Sequence, residues 1–285
     1  MSDKINLTVI GAGTMGNGIV QTFAMHGHAV TMIDVDDKAL ERGKGAIQKS
    51  LGRFVKKEQL RQEQVDEILG AIATSTQLDR AVAGADLVIE AVFENEAVKT
   101  EIFHKIDAAA PAHAVLASNT SSISITRIAN ATKRPEQVIG MHFMNPVPLM
   151  KLVEIIRGER TSEETLAKTV AWSEGLGKVV GVAQDYPGFI ANRILMPMIN
   201  EAAFALMEGV GTREAIDTTM KFGCNFPMGP LTLADFIGLD ICVNILDVLH
   251  QGLGDPKYRC CPMLRRLVEA GKLGRKSGEG FYSYE

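Results

Sequence analysis

The chain has 285 residues, 46% of them hydrophobic, and carries 30 Lys and Arg against 34 Asp and Glu for a formal charge of −4. That length accommodates two domains and a sizeable core, and the acidic balance argues against a general nucleic-acid-binding surface. No apolar run approaches the ~20 residues that a membrane-spanning helix needs, so neither a membrane nor a nucleic acid is expected as a partner.

Met1-Ser2-Asp3-Lys4 leads almost at once into the apolar stretch Ile5 to Ile10, which reads as a strand. A signal or transit peptide has no room ahead of it, and a cytoplasmic location is expected. Behind the strand stand Gly11-Ala12-Gly13-Thr14-Met15-Gly16, followed by a helix-like stretch. In that context Gly11 suits a tight turn, Gly13 a close approach of backbone to a pyrophosphate, and Gly16 the packing of helix on strand. The N–H groups of the helix start would then face the phosphates, with Thr14 and Met15 at the same turn. A second apolar run, Ala29 to Ile33, ends at Asp34, whose carboxylate is placed to accept the hydroxyls of an adenine-linked ribose. Val35, Asp36 and Asp37 follow, so a 2′-phosphate would meet repulsion. NAD is favoured over NADP.

Ala39, Gly43, Ile47, Leu51 and Val55 then recur at helical steps on a charged background, and a second helical stretch runs from about Arg61 to Leu69. Together they form a helical insertion at about 36–70. Lys49, Arg53, Lys56 and Lys57 decorate it. A solvated face is the default reading of such a set. Next to a nucleotide fold, a second phosphate-rich ligand resembling coenzyme A is the alternative.

Strand and helix signals continue to alternate. Strands are read at Ile72 to Thr74, Leu87 to Val92, Val115 to Ala117, Val138 to Met141 and Leu152 to Ile156, with a helix near Leu78 to Ala83. The class is α/β: a Rossmann-type, mostly parallel sheet covered by helices, with ligands at the carboxyl ends of the strands. Ser118-Asn119-Thr120-Ser121-Ser122 occupies one such end. Its short polar side chains suit a substrate oxygen or a nicotinamide ribose, and equally the capping of the helix that follows. His142 ends the strand Val138 to Met141, and Pro146 and Pro148 force a reversal before Leu152 to Ile156. In a hairpin centred on Pro148, His142 and Glu154 are equidistant from the turn and form a cross-strand pair. A carboxylate there fixes the tautomer of the imidazole and suits it to take up a hydroxyl proton.

Asp185-Tyr186-Pro187-Gly188 reads as a boundary between residues 1–186 and a smaller all-α domain over 187–285. Helices are expected at Phe189 to Met207, Thr212 to Phe222, Leu231 to His250 and Met263 to Ala270. Their apolar residues exceed what these helices need to cover one another, which predicts a homodimer. Asn192-Arg193, near the start of the first of them, either reaches over a cleft to a substrate oxygen or serves an interdomain contact. The cysteines Cys224, Cys242, Cys260 and Cys261 lack paired CxxC spacing, so reduced thiols and no metal site are expected.

Across nearly its whole length the chain resembles the short-chain L-3-hydroxyacyl-CoA dehydrogenases, most closely the bacterial 3-hydroxybutyryl-CoA dehydrogenases. The likeness is carried by GAGTMG at Gly11 to Gly16, SNTSS at Ser118 to Ser122, HFMNPVPLMKLVEI at His142 to Ile155, PGFIANR at Pro187 to Arg193, FPMGPLTLADFIGLD at Phe226 to Asp240 and GRKSGEGFY at Gly274 to Tyr282. The resemblance implies that His142 is the general base and Glu154 its partner, with Ser121 and Asn192 positioning the 3-oxygen of an acyl-CoA such as acetoacetyl-CoA or 3-hydroxybutyryl-CoA. It further implies that Asp34 holds the adenine ribose and that Glu94, Lys99, Ser121, Asn145 and Lys276 line the rest of the NAD site. Ser50 and Lys57, helped by Lys56, match the coenzyme-A-binding helix. A homodimer through the helical domain and closure of the two domains over substrate are also implied.

Two other functions compete. One is an NAD-dependent dehydrogenase of a free hydroxy acid on the same plan, which would have no use for the cationic helix. The other is a non-catalytic NAD-binding protein, which would keep the glycine turn and Asp34 without needing His142, Glu154, Ser121 and Asn192 together.

Overall fold

A computed structural model describes residues 4–284 of the chain. β1 (Asn6–Ile10) runs into the glycine turn and α1 (Thr14–Met25), and β2 (Ala29–Ile33) returns beside β1 in parallel, with Leu7 opposite Val30 and Ile10 opposite Ile33. The insertion consists of α2 (Asp37–Lys56) and α3 (Gln62–Gly70) and leads to β3 (Ile72–Ser75). Asp36 starts α2 by accepting a hydrogen bond from the Ala39 N–H at 2.8 Å, which satisfies one of the donors a helix start leaves over. Leu40, Gly43, Ile47 and Leu51 form the buried stripe of α2, the face its periodicity predicts.

α4 (Leu78–Val82), β4 (Leu87–Glu90), α5 (Glu96–Ala109), β5 (Val115–Ser118), α6 (Ile125–Ala129) and β6 (Val138–Phe143) continue the alternation. β7 (Leu152–Arg157), α7 (Glu163–Gly175) and β8 (Val179–Gln184) complete the sheet. Its eight strands lie in the order β3-β2-β1-β4-β5-β6-β7-β8, and β6 with β7 is its antiparallel pair. β4 and β5 are buried along their entire lengths, as strands covered on both faces must be, and each reads as an apolar run closed by one polar residue, Glu90 or Ser118. The core gathers Leu7, Val9 and Met32 from the strands against Ile19, Phe23 and Leu51 from the helices. The Rossmann-type α/β expectation is met. β8 was not anticipated: Val179-Val180-Gly181-Val182-Ala183-Gln184 is an edge strand with only Ala183 buried, and neither strict alternation nor a fully apolar run announces it.

The residues up to Tyr186 form one compact unit, and those from Pro187 onward form a second. The second unit is all-α, with α8 (Ala191–Met207), α9 (Arg213–Thr218), α10 (Pro230–Ile237), α11 (Leu239–Leu253) and α12 (Pro262–Glu269) around a core that includes Ile199, Leu231, Leu239, Leu246 and Leu264. Two expected helices are corrected here. The stretch from Leu231 to His250 is two helices, because Gly238 breaks it with a φ of +108°, a conformation open to glycine and costly for other residues. The stretch from Thr212 to Phe222 is α-helical only to Thr218 and then widens into a π-turn over Thr219–Gly223. Buried carboxylates organise this unit. Asp217 accepts from the Leu231 and Thr232 N–H groups at 2.8 and 2.9 Å. Asp235 accepts from those of Phe281 and Tyr282 at 2.8 and 2.9 Å, which ties down the carboxyl-terminal segment. Among the described residues no helix is long and apolar enough to cross a membrane.

Candidate active site

Sterics separate the outer glycines of the turn from the middle one. Gly11 has a φ of +106°, and a Cβ there would stand 2.6 Å from the Ala91 carbonyl oxygen. A Cβ on Gly16 would overlap the Gly11 carbonyl oxygen, whereas one on Gly13 would meet nothing within 4 Å. Packing therefore dictates the outer glycines, and the middle one faces open space at the start of α1, whose N-cap has no side-chain partner. Asp34, just past β2, accepts from the Ala12 N–H through Oδ2 and from the Val35 N–H through Oδ1, both at 2.7 Å. These bonds lock the carboxylate to the turn it serves. A groove lined by Gly13, Thr14, Asp34, Val35 and Arg42 opens here. Open backbone at a helix start beside an anchored carboxylate fits the adenosine and pyrophosphate of NAD. Arg42 escaped the sequence reading; its place directly before Gly43, which packs on Ala12, was the available signal. Met15 packs against the core cluster beneath the turn.

Between β6 and β7, His142 and Glu154 are directly opposite in the register. His142 Nδ1 and Glu154 Oε2 are 2.8 Å apart, and both residues are buried. With Nδ1–H donating to the carboxylate, Nε2 keeps its lone pair and points to Ser121 Oγ at 3.1 Å. Ser121 sits in the loop after β5. Asn119 joins that loop to β6 by accepting from the Phe143 N–H through Oδ1 at 2.9 Å.

Glu94 clamps the same loop. Its Oε1 accepts from Thr120 Oγ1 at 2.5 Å, from the Ser121 and Ser122 N–H groups at 2.9 and 3.0 Å, and from Ser122 Oγ at 2.9 Å. Burial works against its ionisation, but the Lys99 ammonium and these hydrogen bonds outweigh it and hold the carboxyl below its usual range. Lys99, placed by resemblance in the cofactor site, is buried with Nζ 2.6 Å from Glu90 Oε1 and 3.4 Å from Glu94 Oε2. Glu90 was not singled out from the sequence; a charged residue closing the apolar run Leu87-Val88-Ile89 was its signal.

Between β6 and β7 the chain turns through a cis Asn145–Pro146 peptide bond. Lys178 Nζ donates to the Val147 and Met150 carbonyls at 2.6 and 2.7 Å, a tie the sequence did not reveal. Asn145 and Pro148 from this turn, with Thr14 and with Ser50, Arg53 and Lys57 from the end of α2 and just beyond it, line a cavity of about 390 Å³. The hydroxyls of Thr14 and Ser50 and the cations of Arg53 and Lys57 on its wall suit phosphate groups. Lys49 and Lys56 are exposed and do not line it. Asn192 lies in the first turn of α8 in the second unit. Lys276 belongs to the same unit and pairs through Nζ with Asp240 at 2.5 and 2.7 Å.

Residues 6–186 match the family described as "3-hydroxyacyl-CoA dehydrogenase, NAD binding domain", and residues 188–284 match "3-hydroxyacyl-CoA dehydrogenase, C-terminal domain". The chain is 54% identical over 279 residues to a probable 3-hydroxybutyryl-CoA dehydrogenase of Bacillus subtilis, covering 98% of this chain and 97% of that one. It is 44% identical over 286 residues to the human mitochondrial hydroxyacyl-coenzyme A dehydrogenase, covering 98% and 91% of the two. The crystal structure of an (S)-3-hydroxybutyryl-CoA dehydrogenase from Ralstonia eutropha superposes with a TM-score of 0.96 at 47% identity, covering 99% of this chain and 100% of that one. Motifs, fold and site geometry converge, and the chain belongs to the NAD-dependent 3-hydroxyacyl-CoA dehydrogenase family.

Proposed function

We propose that this protein interconverts (S)-3-hydroxybutyryl-CoA and acetoacetyl-CoA, with His142 handling the proton. The observation that carries this reading is the line of polar atoms from Glu154 Oε2 through the His142 ring to Ser121 Oγ, with separations of 2.8 and 3.1 Å. Bound NAD supplies the hydride acceptor for C3, and NADH the donor in reverse. In oxidation the 3-hydroxyl proton passes to His142 Nε2, while Glu154 keeps the Nδ1–H in place and balances the charge that develops on the ring. Ser121 hydrogen-bonds the 3-oxygen and holds it against Nε2, and Asn192, from its place in the family motif, is the proposed second donor. In reduction His142 returns the proton to the oxygen. Orientation and proton handling are what the side chains contribute.

Ser50, Arg53 and Lys57 are the proposed coenzyme A phosphate contacts, because they share one cavity wall. The four-carbon acyl group follows from the names of the Bacillus subtilis and Ralstonia eutropha relatives. A homodimer through the second unit follows from the surplus of apolar residues in that half of the sequence. The test is NADH oxidation with acetoacetyl-CoA, with a six-carbon homologue and with free acetoacetate, each repeated with NADPH. Turnover of the thioesters alone, fastest at four carbons and with NADH, is expected; equal turnover of the free acid would replace this reading with a hydroxy-acid dehydrogenase.

A further inference from the structure

The carboxylate of Glu90 closes β4 and is fully buried. Its Oε1 accepts from Lys99 Nζ at 2.6 Å and from the Val92 N–H at 2.7 Å, and its Oε2 accepts from Ser118 Oγ at 2.6 Å. A buried carboxylate with three donors is stable, and its removal leaves an ammonium without its nearest counter-charge. Two of these partners, Ser118 and Lys99, lead toward the loop that presents Ser121. Ser118 begins that loop and accepts from the Thr120 N–H at 3.3 Å, and Lys99 stands between Glu90 and Glu94. Glu94 in turn grips Thr120, Ser121 and Ser122.

From this arrangement we infer that Glu90 is a positioning residue for the proton-transfer site, setting Ser121 against His142 through Ser118 on one side and the Lys99–Glu94 pair on the other. The inference rests on the reaction proposed above. Lys99 is shared by two carboxylates, and Glu90 holds it at the shorter distance. With Glu90 neutral, the ammonium has a single full charge left to pair with. It then moves toward Glu94 and competes with the hydroxyl and N–H groups that Glu94 holds. The lesion is local to the loop, so substrate and cofactor binding change little while the orientation of the reacting oxygen is lost. Displacements of that kind cost up to about a hundredfold in rate.

The experiment is a double-mutant cycle between Glu90→Gln and Ser121→Ala, read as kcat and KM for acetoacetyl-CoA and NADH. Glu90→Gln retains the size and most of the hydrogen-bonding capacity of the side chain and removes its charge. It is expected to lower kcat roughly tenfold to a hundredfold, with both KM values within about threefold of wild type. In the Ser121→Ala background the same change is expected to lower kcat by less than about threefold, because its effect runs through Ser121. Ser118→Ala, which keeps the Glu90–Lys99 pair, should show a smaller loss with the same dependence on Ser121, and it decides the matter if Glu90→Gln does not fold. Unchanged kcat, a loss confined to KM, or losses that multiply fully with Ser121→Ala would overturn the inference. Failure of the proposed reaction is distinguishable, since wild-type protein would then not oxidise NADH with acetoacetyl-CoA at all.

Discussion

His142 Nδ1 and Glu154 Oε2 are 2.8 Å apart across an antiparallel strand pair, with 8% and 2% of their side-chain surfaces exposed. Two paired strands carry the imidazole and the carboxylate, so the ring cannot turn away without losing its bond to Glu154. Glu154→Gln preserves the shape of this pair and removes the charge that balances a protonated ring. Its kcat is expected to fall by about 10²–10⁴-fold, as is that of His142→Gln, with NADH affinity nearly intact. Steady-state rates in both directions and a fluorescence titration with NADH check this; wild-type turnover in either variant removes the pair from the mechanism.

Asp34, the proposed ribose acceptor, is tied to the fold because it accepts from the Ala12 N–H at 2.7 Å within the glycine turn. Asp34→Ala removes the proposed ribose acceptor and leaves that backbone donor without its partner. The dissociation constant for NADH should rise about tenfold or more, the value expected for losing a charge-assisted hydrogen bond. NADPH binding should suffer less, since the carboxylate that repels a 2′-phosphate is gone. Titration of both nucleotides measures the ratio, and an unchanged ratio would show that specificity lies elsewhere.

The parts of the site legible in the sequence were those with a local geometric rule. The glycine turn follows from sterics, and the His142–Glu154 pair follows from counting outward from Pro148; the observed register agrees. Residues whose partners are remote stayed hidden. Glu90 meets Ser118 from another strand, and Lys178 reaches the turn at Val147 and Met150 from beyond α7. No periodicity marks such contacts. Helical geometry explains why only part of the cationic set lines the cavity. Ala46, Ser50, Arg53 and Lys57 recur at steps of one turn on one face, from which Lys49 and Lys56 are rotated away.

That face makes its own prediction. Lys57→Ala and Arg53→Ala should each raise KM for acetoacetyl-CoA about tenfold while leaving KM for NADH and the rate at saturation near wild type, the signature of lost uniform binding. Lys56→Ala, off the cavity wall, should change KM by less than about twofold in the same assay. Equal effects from all three would mean that the helix acts through its overall charge.

Lys178 holds the turn that forms the opposite wall. Burial lowers the affinity of its amine for a proton, yet Nζ is satisfied by two carbonyls at 2.6 and 2.7 Å. Lys178→Met fills the same space without donors and leaves the Val147 and Met150 oxygens poorly partnered. A loss of about 1–3 kcal/mol is expected, with a raised KM for acetoacetyl-CoA because Asn145 to Leu149 line the cavity. Thermal denaturation reads the first effect; an unchanged midpoint would mean that water replaces the ammonium.

At the amino-terminal end of the sheet, His28 gives the fold a pH dependence. The residue is buried, and its Nδ1 accepts from the Ile5 N–H at 3.2 Å, which only an unprotonated nitrogen can do. Burial, followed by the charges of His26 and Lys4, holds its pKa below the ordinary 6.5. The unfolded chain therefore takes up this proton at a higher pH than the folded chain does. Stability from this site is fully present above about pH 6.5 and declines as the pH falls toward the folded value, with no further loss below it. His28→Asn offers an amide oxygen to the Ile5 N–H and does not titrate. Urea midpoints measured at about pH 7 and pH 5 should fall more for wild type than for this variant. Parallel falls would place the acid sensitivity over this interval in groups other than His28.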